Sequence, residues 1–187
     1  MSSFAECVSQ SGLDRKIAEA SYGKYGSFNE DAAKLIIEAS QLEHIAPTML
    51  AITLLNESVF NLHQTPNTNH RPDDPTHWDV GPAQLNVHWT KKEVEAGNVQ
   101  PLPEIDIFGS LSSPDAQFDG DPLSNIRMCA RRLLAIHTKK FAEAGYKSEN
   151  EMRCVRYTGP GAQPFRLQSY REYLPLFKTF FTCYHSI

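Results

Sequence analysis

The sequence predicts a mainly α fold with one small β-turn or hairpin region set beside a buried helix. Three observations carry this. Apolar residues recur at helical intervals at Ala32, Leu35, Ile36, Ala39 and Leu42, and again from Leu123 to Phe141. Helix-start signals precede several segments: Ser27 or Asn29 before the first, Asp121-Pro122 before another, and Ser148 with Glu151 before a third. Between the helical stretches, Trp78 to Asn86 reads as a short strand with a turn at Gly81-Pro82.

Residues 1–28 are mixed, with a short helix expected over Leu13 to Ala20 and a break at Gly23 to Gly26. The next helix opens at Ser27, which stands at capping-box spacing from Glu30, or at Asn29. Pro47 suits the first turn of a second helix running to about Phe60. Residues 62–77, with Pro66, Pro72 and Pro75, are loop by composition. A short helix over 87–97 stops at Gly97, and the acid- and proline-bearing stretch 98–120 reads as irregular. Loops of that length in a compact domain are usually functional or mobile.

Asp121 and Pro122 open what should be the central helix. Its stripe is Leu123, Ile126, Cys129, Ala130, Leu133, Leu134, His137 and Phe141, with Gly145 as the stop. A helix is expected over 149–156, ending at Tyr157-Thr158-Gly159-Pro160-Gly161. The last helical segment, about 165–182, carries Tyr170, Tyr173, Phe177 and Phe181.

The 187 residues fit one domain, 1–187, able to bury a core without metal or disulfide support. No apolar run approaches the roughly 20 residues of a membrane helix, and residues 1–20 lack a signal peptide's apolar centre. A removed leader, secretion without one and delivery on lysis all stay open. The formal net charge of -4 hides an asymmetry: residues 1–120 hold 7 Lys+Arg and 17 Asp+Glu, residues 121–187 hold 11 and 5. Two opposed surfaces facing a cleft would steer an anionic polymer; the other reading is an internal balance of helix faces. No nucleic-acid recognition motif accompanies the basic segment. Cys7, Cys129, Cys154 and Cys183 form no CxxC pair. In an exported protein Cys7 and Cys183 would tie the termini, while Cys129 on an apolar stripe reads as a buried free thiol.

Glu57 is the residue with the sharpest chemical reading. It shares a helix face with Leu50, Thr53 and Leu54, so its neighbours on that helix are largely apolar. It also lies in the last turn, near the negative end of the helix dipole. Both effects disfavour the carboxylate and raise its pKa towards the working pH, as a proton donor to a glycosidic oxygen requires.

Four short motifs stand in order along residues 30–165. They are Glu57-Ser58 at the end of an apolar helix, Gly81-Pro82-Ala83-Gln84 followed by Leu85-Asn86, Asn125-Ile126 with Cys129-Ala130, and Tyr157-Thr158-Gly159. Together they resemble the soluble lytic transglycosylase and goose-type lysozyme families of the lysozyme-like superfamily. The chain departs from that pattern at Pro82-Ala83, where Leu-Met is usual, at Thr158 for Asn, and at Cys129 for a common glycine.

The resemblance implies a lysozyme-like α+β domain that cleaves peptidoglycan between N-acetylmuramic acid and N-acetylglucosamine, as a lytic transglycosylase or a muramidase. It implies Glu57 as general acid/base and an extracytoplasmic setting: periplasm, cell wall or secreted. Ser58 and Gln84 would hold or orient groups in the cleft, with Asn86 beside them. Tyr157 would donate to Glu57, and Gly81 would let backbone approach the polymer. Asp79, two residues before Gly81, is the best candidate for a second carboxylate, followed by Asp73 and Asp74. No cofactor, metal or membrane span is expected, and the oligomeric state is open. Two rivals remain: a non-catalytic glycan-binding module using Trp78, Trp89, Tyr157 or Tyr170, and a metal-dependent hydrolase using His63, His70 and His77.

Overall fold

The computed structural model describes residues 2–21, 28–157 and 160–184. The expected break at Gly23 to Gly26, Ser27 and the Thr158-Gly159 pair lie outside them. Within the described residues the chain is mainly helical, as expected, with one small antiparallel sheet.

Helix α1 (Phe4–Ser11) was not foreseen, although its signal is local: Ser3 Oγ accepts from Glu6 N, and Glu6 Oε2 accepts from Ser3 N at 2.7 Å. Helix α2 (Leu13–Ser21) follows, and α3 (Glu30–Leu42) is capped by Asn29, whose side chain accepts from Ala32 N. Helix α4 (Pro47–Ser58) starts at the proline and stops two residues short of the expected Phe60. Val59 and Phe60 both turn into left-handed backbone, at φ 50° and 62°. That conformation costs roughly 1–2 kcal/mol per residue. Burial of the Phe60 ring, about 2–3 kcal/mol, helps to offset it.

The turn region forms β1 (Asp79–Val80) paired antiparallel with β2 (Leu85–Asn86), Asp79 opposite Asn86 and Val80 opposite Leu85. Helix α5 (Val87–Glu95) leaves directly from β2. The stretch expected to be irregular contains a short helix, α6 (Glu104–Phe108). Helix α7 (Pro122–Ala135) begins at the Asp121 cap but ends ten residues before Gly145. Ile136 is extended, so His137 and Phe141 leave the expected stripe; Leu134 and Leu42 are likewise substantially exposed. Helix α8 (Glu149–Arg156) matches the expected span, and α9 (Gln163–Tyr184) is the longest.

Helix α9 packs against α1, α4 and α8, while α3 packs on α4 and α7. Phe28, Phe60, Phe177 and Phe180 meet with ring centroids 4.9–6.0 Å apart, tying the end of α4 to α9. This fixes the height at which Glu57 emerges. Cys7 and Cys183 are bonded, joining α1 to α9 across 176 residues of sequence, whereas Cys129 and Cys154 are buried free thiols. Replacing both Cys7 and Cys183 by Ser should cost roughly 2–5 kcal/mol. Urea unfolding measures this; an unshifted midpoint would mean that the bridge contributes nothing to stability.

Candidate active site

Helix α4 delivers Glu57 from a wall of fully buried side chains, Leu50, Thr53 and Leu54. Its own side chain is 9% exposed, and that of Arg166, reaching in from α9, is 8% exposed. Arg166 Nη2 stands 2.7 Å from Glu57 Oε1. Oε1 is buried against this guanidinium, whose Nε and Nη1 are buried with no hydrogen-bond partner among the described residues. Burial pushes the Glu57 carboxyl up to about 7; the Arg166 charge pulls it down and the Asp79 charge raises it further. Removal from water outweighs the guanidinium, so the proton is held near neutral pH.

Asp79 faces it from β1. Asn86 Nδ2 donates to Asp79 Oδ1 at 2.8 Å and Asn69 Nδ2 to Oδ2 at 3.1 Å. Paired backbone bonds between Asn67 and Asp79, both 2.9 Å, anchor the loop before β1. Partial burial raises the Asp79 pKa, against the pull of its two amide donors and of Arg132. Asn86 also caps α5 through Oδ1, accepting from Trp89 N at 3.0 Å.

The β1–β2 turn is held from behind by Asn125 of α7, which is fully buried. Its Oδ1 accepts from Ala83 N at 2.9 Å, and its Nδ2 donates to Val80 O at 3.2 Å and Ile107 O at 2.8 Å. Gly81 sits at φ 71°, where a Cβ would come within 2.6 Å of Asn125 Cγ. The glycine is therefore required by an internal side chain, where the sequence suggested a close approach by substrate.

These elements enclose a cleft of about 470 Å³ whose walls include Glu57, Asp79, Gln84, Asn86, Tyr157 and Arg132. Five of the seven predicted site residues thus meet at one opening, and Gly81 and Ser58 do not line it. Ser58 is buried with Oγ directed back to Leu54 O at 3.4 Å. Gln84 lines the cleft with its amide on Gly81 O at 3.0 Å. Tyr157 does not donate to Glu57: its hydroxyl donates to Ala83 O at 3.2 Å, and the Arg132 guanidinium lies 5.3 Å from its ring centroid. Burial raises the phenol well above its ordinary pKa, so it stays a donor. Trp78 and Tyr170 are core residues, and only Trp89 of the four expected sugar-stacking aromatics is exposed.

The rival histidines are dispersed. His63 Nδ1 lies 3.4 Å from Phe118 O, and His77 Nδ1 lies 2.8 Å from Asp74 Oδ2. No three potential metal ligands converge among the described residues. Arg166, Asn69 and Arg132 were missed by sequence reasoning, because no short-range spacing links them to Glu57 or Asp79. Asn125 was noticed as part of a motif but given no role.

Replacing Asn125 by Ala would strand Ala83 N, Val80 O and Ile107 O. The expected loss is about 3 kcal/mol or more, read as a lowered urea midpoint. A loss under about 0.5 kcal/mol would show that the amide is dispensable. Replacing Arg166 by Gln removes a charge that lowers the Glu57 pKa, so the carboxyl should titrate above its present value of about 7. Carboxyl-carbon NMR against pH reads this directly, and a downward shift would contradict the assigned electrostatics.

Comparison of the chain with family models, curated proteins and solved structures finds no match.

Proposed function

We propose that this protein cleaves the β-1,4 bond between N-acetylmuramic acid and N-acetylglucosamine in peptidoglycan, on a lysozyme-like scaffold, with Glu57 as general acid/base. The observation that carries the reading is a nine-tenths buried carboxyl that lines one open cleft together with a second carboxyl, Asp79, burial raising the pKa of both. The four-motif resemblance supplies the substrate class.

In the first step neutral Glu57 gives its proton to the bridging oxygen as the C1–O bond breaks, leaving positive charge on the sugar ring. Asp79 in its anionic form stabilises that charge or activates a water. In hydrolysis the water oxygen bonds to C1 and its proton passes to Asp79 where Asp79 activates it, or to Glu57 where Asp79 only stabilises charge. In the transglycosylase route the sugar's own C6 hydroxyl closes a 1,6-anhydro ring and gives its proton to Glu57. The two amides that aim Asp79 into the cleft favour hydrolysis, since an oriented second carboxylate is what an attacking water needs. The Cys7–Cys183 bond fits an oxidising, extracytoplasmic setting.

Clearing of purified cell wall should fall roughly 100-fold or more in Glu57→Gln, in line with the loss of a general acid. Because the neutral form is the donor, wild-type activity should decline as pH rises through about 7. Mass spectra of the released muropeptides separate the products, the anhydro form being lighter by one water. A Glu57→Gln protein that clears as fast as wild type would refute the mechanism. Binding by both proteins with clearing by neither would make the chain a glycan-binding module.

A further inference from the structure

Helix α5 borders two openings. Trp89 lines the cleft, whereas the next residue, Thr90, lines a separate pocket of about 100 Å³ between α5 and α6. Successive helix positions stand about 100° apart, so the two openings lie on different sides of one helix. The inner end of the pocket is made by Thr90, Ile107 and Phe108, each 4% exposed or less. Val94 and Leu102, both half-buried, form its sides. An ion pair spans the mouth: Lys91 Nζ meets Glu104 Oε2 at 2.6 Å and lies 5.9 Å from the Phe108 ring centroid. Both members are substantially exposed, so the pair contributes little to stability and parts easily.

Thr90 is the anomaly. It is 1% exposed, yet its Oγ1 is buried with no hydrogen-bond partner among the described residues. A helical threonine can settle its hydroxyl on the carbonyl four residues back. Thr53 of α4 does so, donating to Met49 O at 2.9 Å, but Thr90 makes no such bond to Asn86. Ile107 and Phe108 offer only carbon side chains, so Thr90 Oγ1 is the one side-chain polar atom at the inner end. A lone water would be poorly held there, since buried waters take two to four hydrogen bonds. A ligand with one polar atom and an apolar body completes the site better. The volume suits a single ring, an apolar cavity of about 150 Å³ being enough to take up benzene. The Phe108 ring favours an aromatic occupant over an aliphatic one.

We propose that the pocket between α5 and α6 binds a small aromatic molecule carrying one hydroxyl, a phenol, whose ring lies against Ile107 and Phe108 and whose hydroxyl bonds Thr90 Oγ1. The site shares no lining residue with the cleft and does not rest on the glycan-cleaving reading. Its occupant lies between two supports of the cleft wall: α5 starts at Asn86, which holds Asp79, and Ile107 O is held by Asn125.

The test titrates the full-length protein, carbon-13-labelled at isoleucine, leucine and valine methyls, with phenol and separately with benzene. Methyl signals of Ile107, Leu102 and Val94 should shift and saturate at phenol concentrations on the order of millimolar. Thr90→Val removes the hydroxyl at nearly constant shape. It should weaken phenol roughly tenfold and leave benzene unchanged, while Thr90→Ser keeps phenol binding. Because the hydroxyl removed is unsatisfied, Thr90→Val should melt no lower than wild type. The proposal is overturned if phenol moves none of these methyls, or moves them without saturation. It is overturned equally if Thr90→Val alters both probes alike or neither. A clearly lower melting temperature in Thr90→Val would also sink it, since the hydroxyl would then already have a partner within the protein. The wild-type titration decides the pocket even where a variant does not fold.

Discussion

The geometry of the cleft depends on one buried carboxamide. Asn125 sits at 0% exposure where α7 passes beneath the β1–β2 turn, and it satisfies one N–H and two carbonyls from two other segments. A two-residue strand pair has little intrinsic stability in water. Here its turn is fastened to a helix that begins with a strong cap, Asp121 accepting from Leu123 N and Ser124 N. The same fastening explains Gly81, since the amide occupies the volume a side chain would need. Tyr157 adds a third point of attachment to the turn, at Ala83 O. Asp79, Gln84 and Asn86 inherit their positions from that anchored turn. Without it they would belong to a surface loop.

On the opposite wall the balance is electrostatic. Raising a carboxyl from 4.5 to about 7 corresponds to roughly 3 kcal/mol disfavouring the anion. A guanidinium 2.7 Å away lowers it without reversing it, because both groups are nine-tenths out of water. The linkage follows in sign. The folded pKa exceeds the unfolded one, so this group's contribution to stability is fully present below about 4.5 and is lost as pH rises through about 7. Glu43 shows the contrast within the same chain. Burial also opposes its charge, yet aligned bonds from Arg127 and Arg131 at 2.7–2.9 Å keep its pKa below the ordinary value. Deeper burial, with one guanidinium in place of two, separates a carboxyl with a proton to give from a structural carboxylate.

Much of this was legible in local sequence. Pro47, Asp121-Pro122 and Ser148 mark helix starts that the structure places as expected, because caps and first-turn prolines act over three or four residues. The apolar face around Glu57 was legible for the same reason. Helix ends were harder. The stripe ran on to Phe141, but Ile136 turns extended after Ala135, and nothing within one turn of sequence announces it. Arg166 was invisible, since it lies far along the chain from Glu57 and meets it only in the folded structure. So was the true partner of Tyr157, a carbonyl 74 residues away. Local rules found the acid; tertiary packing decided what stands next to it.

The charge asymmetry resolves in the same way. Acids before residue 120 pair with arginines after it: Glu43 with Arg127 and Arg131, Glu93 with Arg132, Glu57 with Arg166. Three acids of the first part and four arginines of the second thus hold α3, α4 and α5 to α7 and α9, the internal balance that competed with a steering role. What remains is a chain of net charge -4. An anionic glycan would meet mild long-range repulsion, screened beyond about 8 Å at physiological salt. Capture of such a strand then has to come from short-range contacts inside the cleft. There the carboxyls work in its favour only because burial limits how far Glu57 is ionised and two amides hold Asp79.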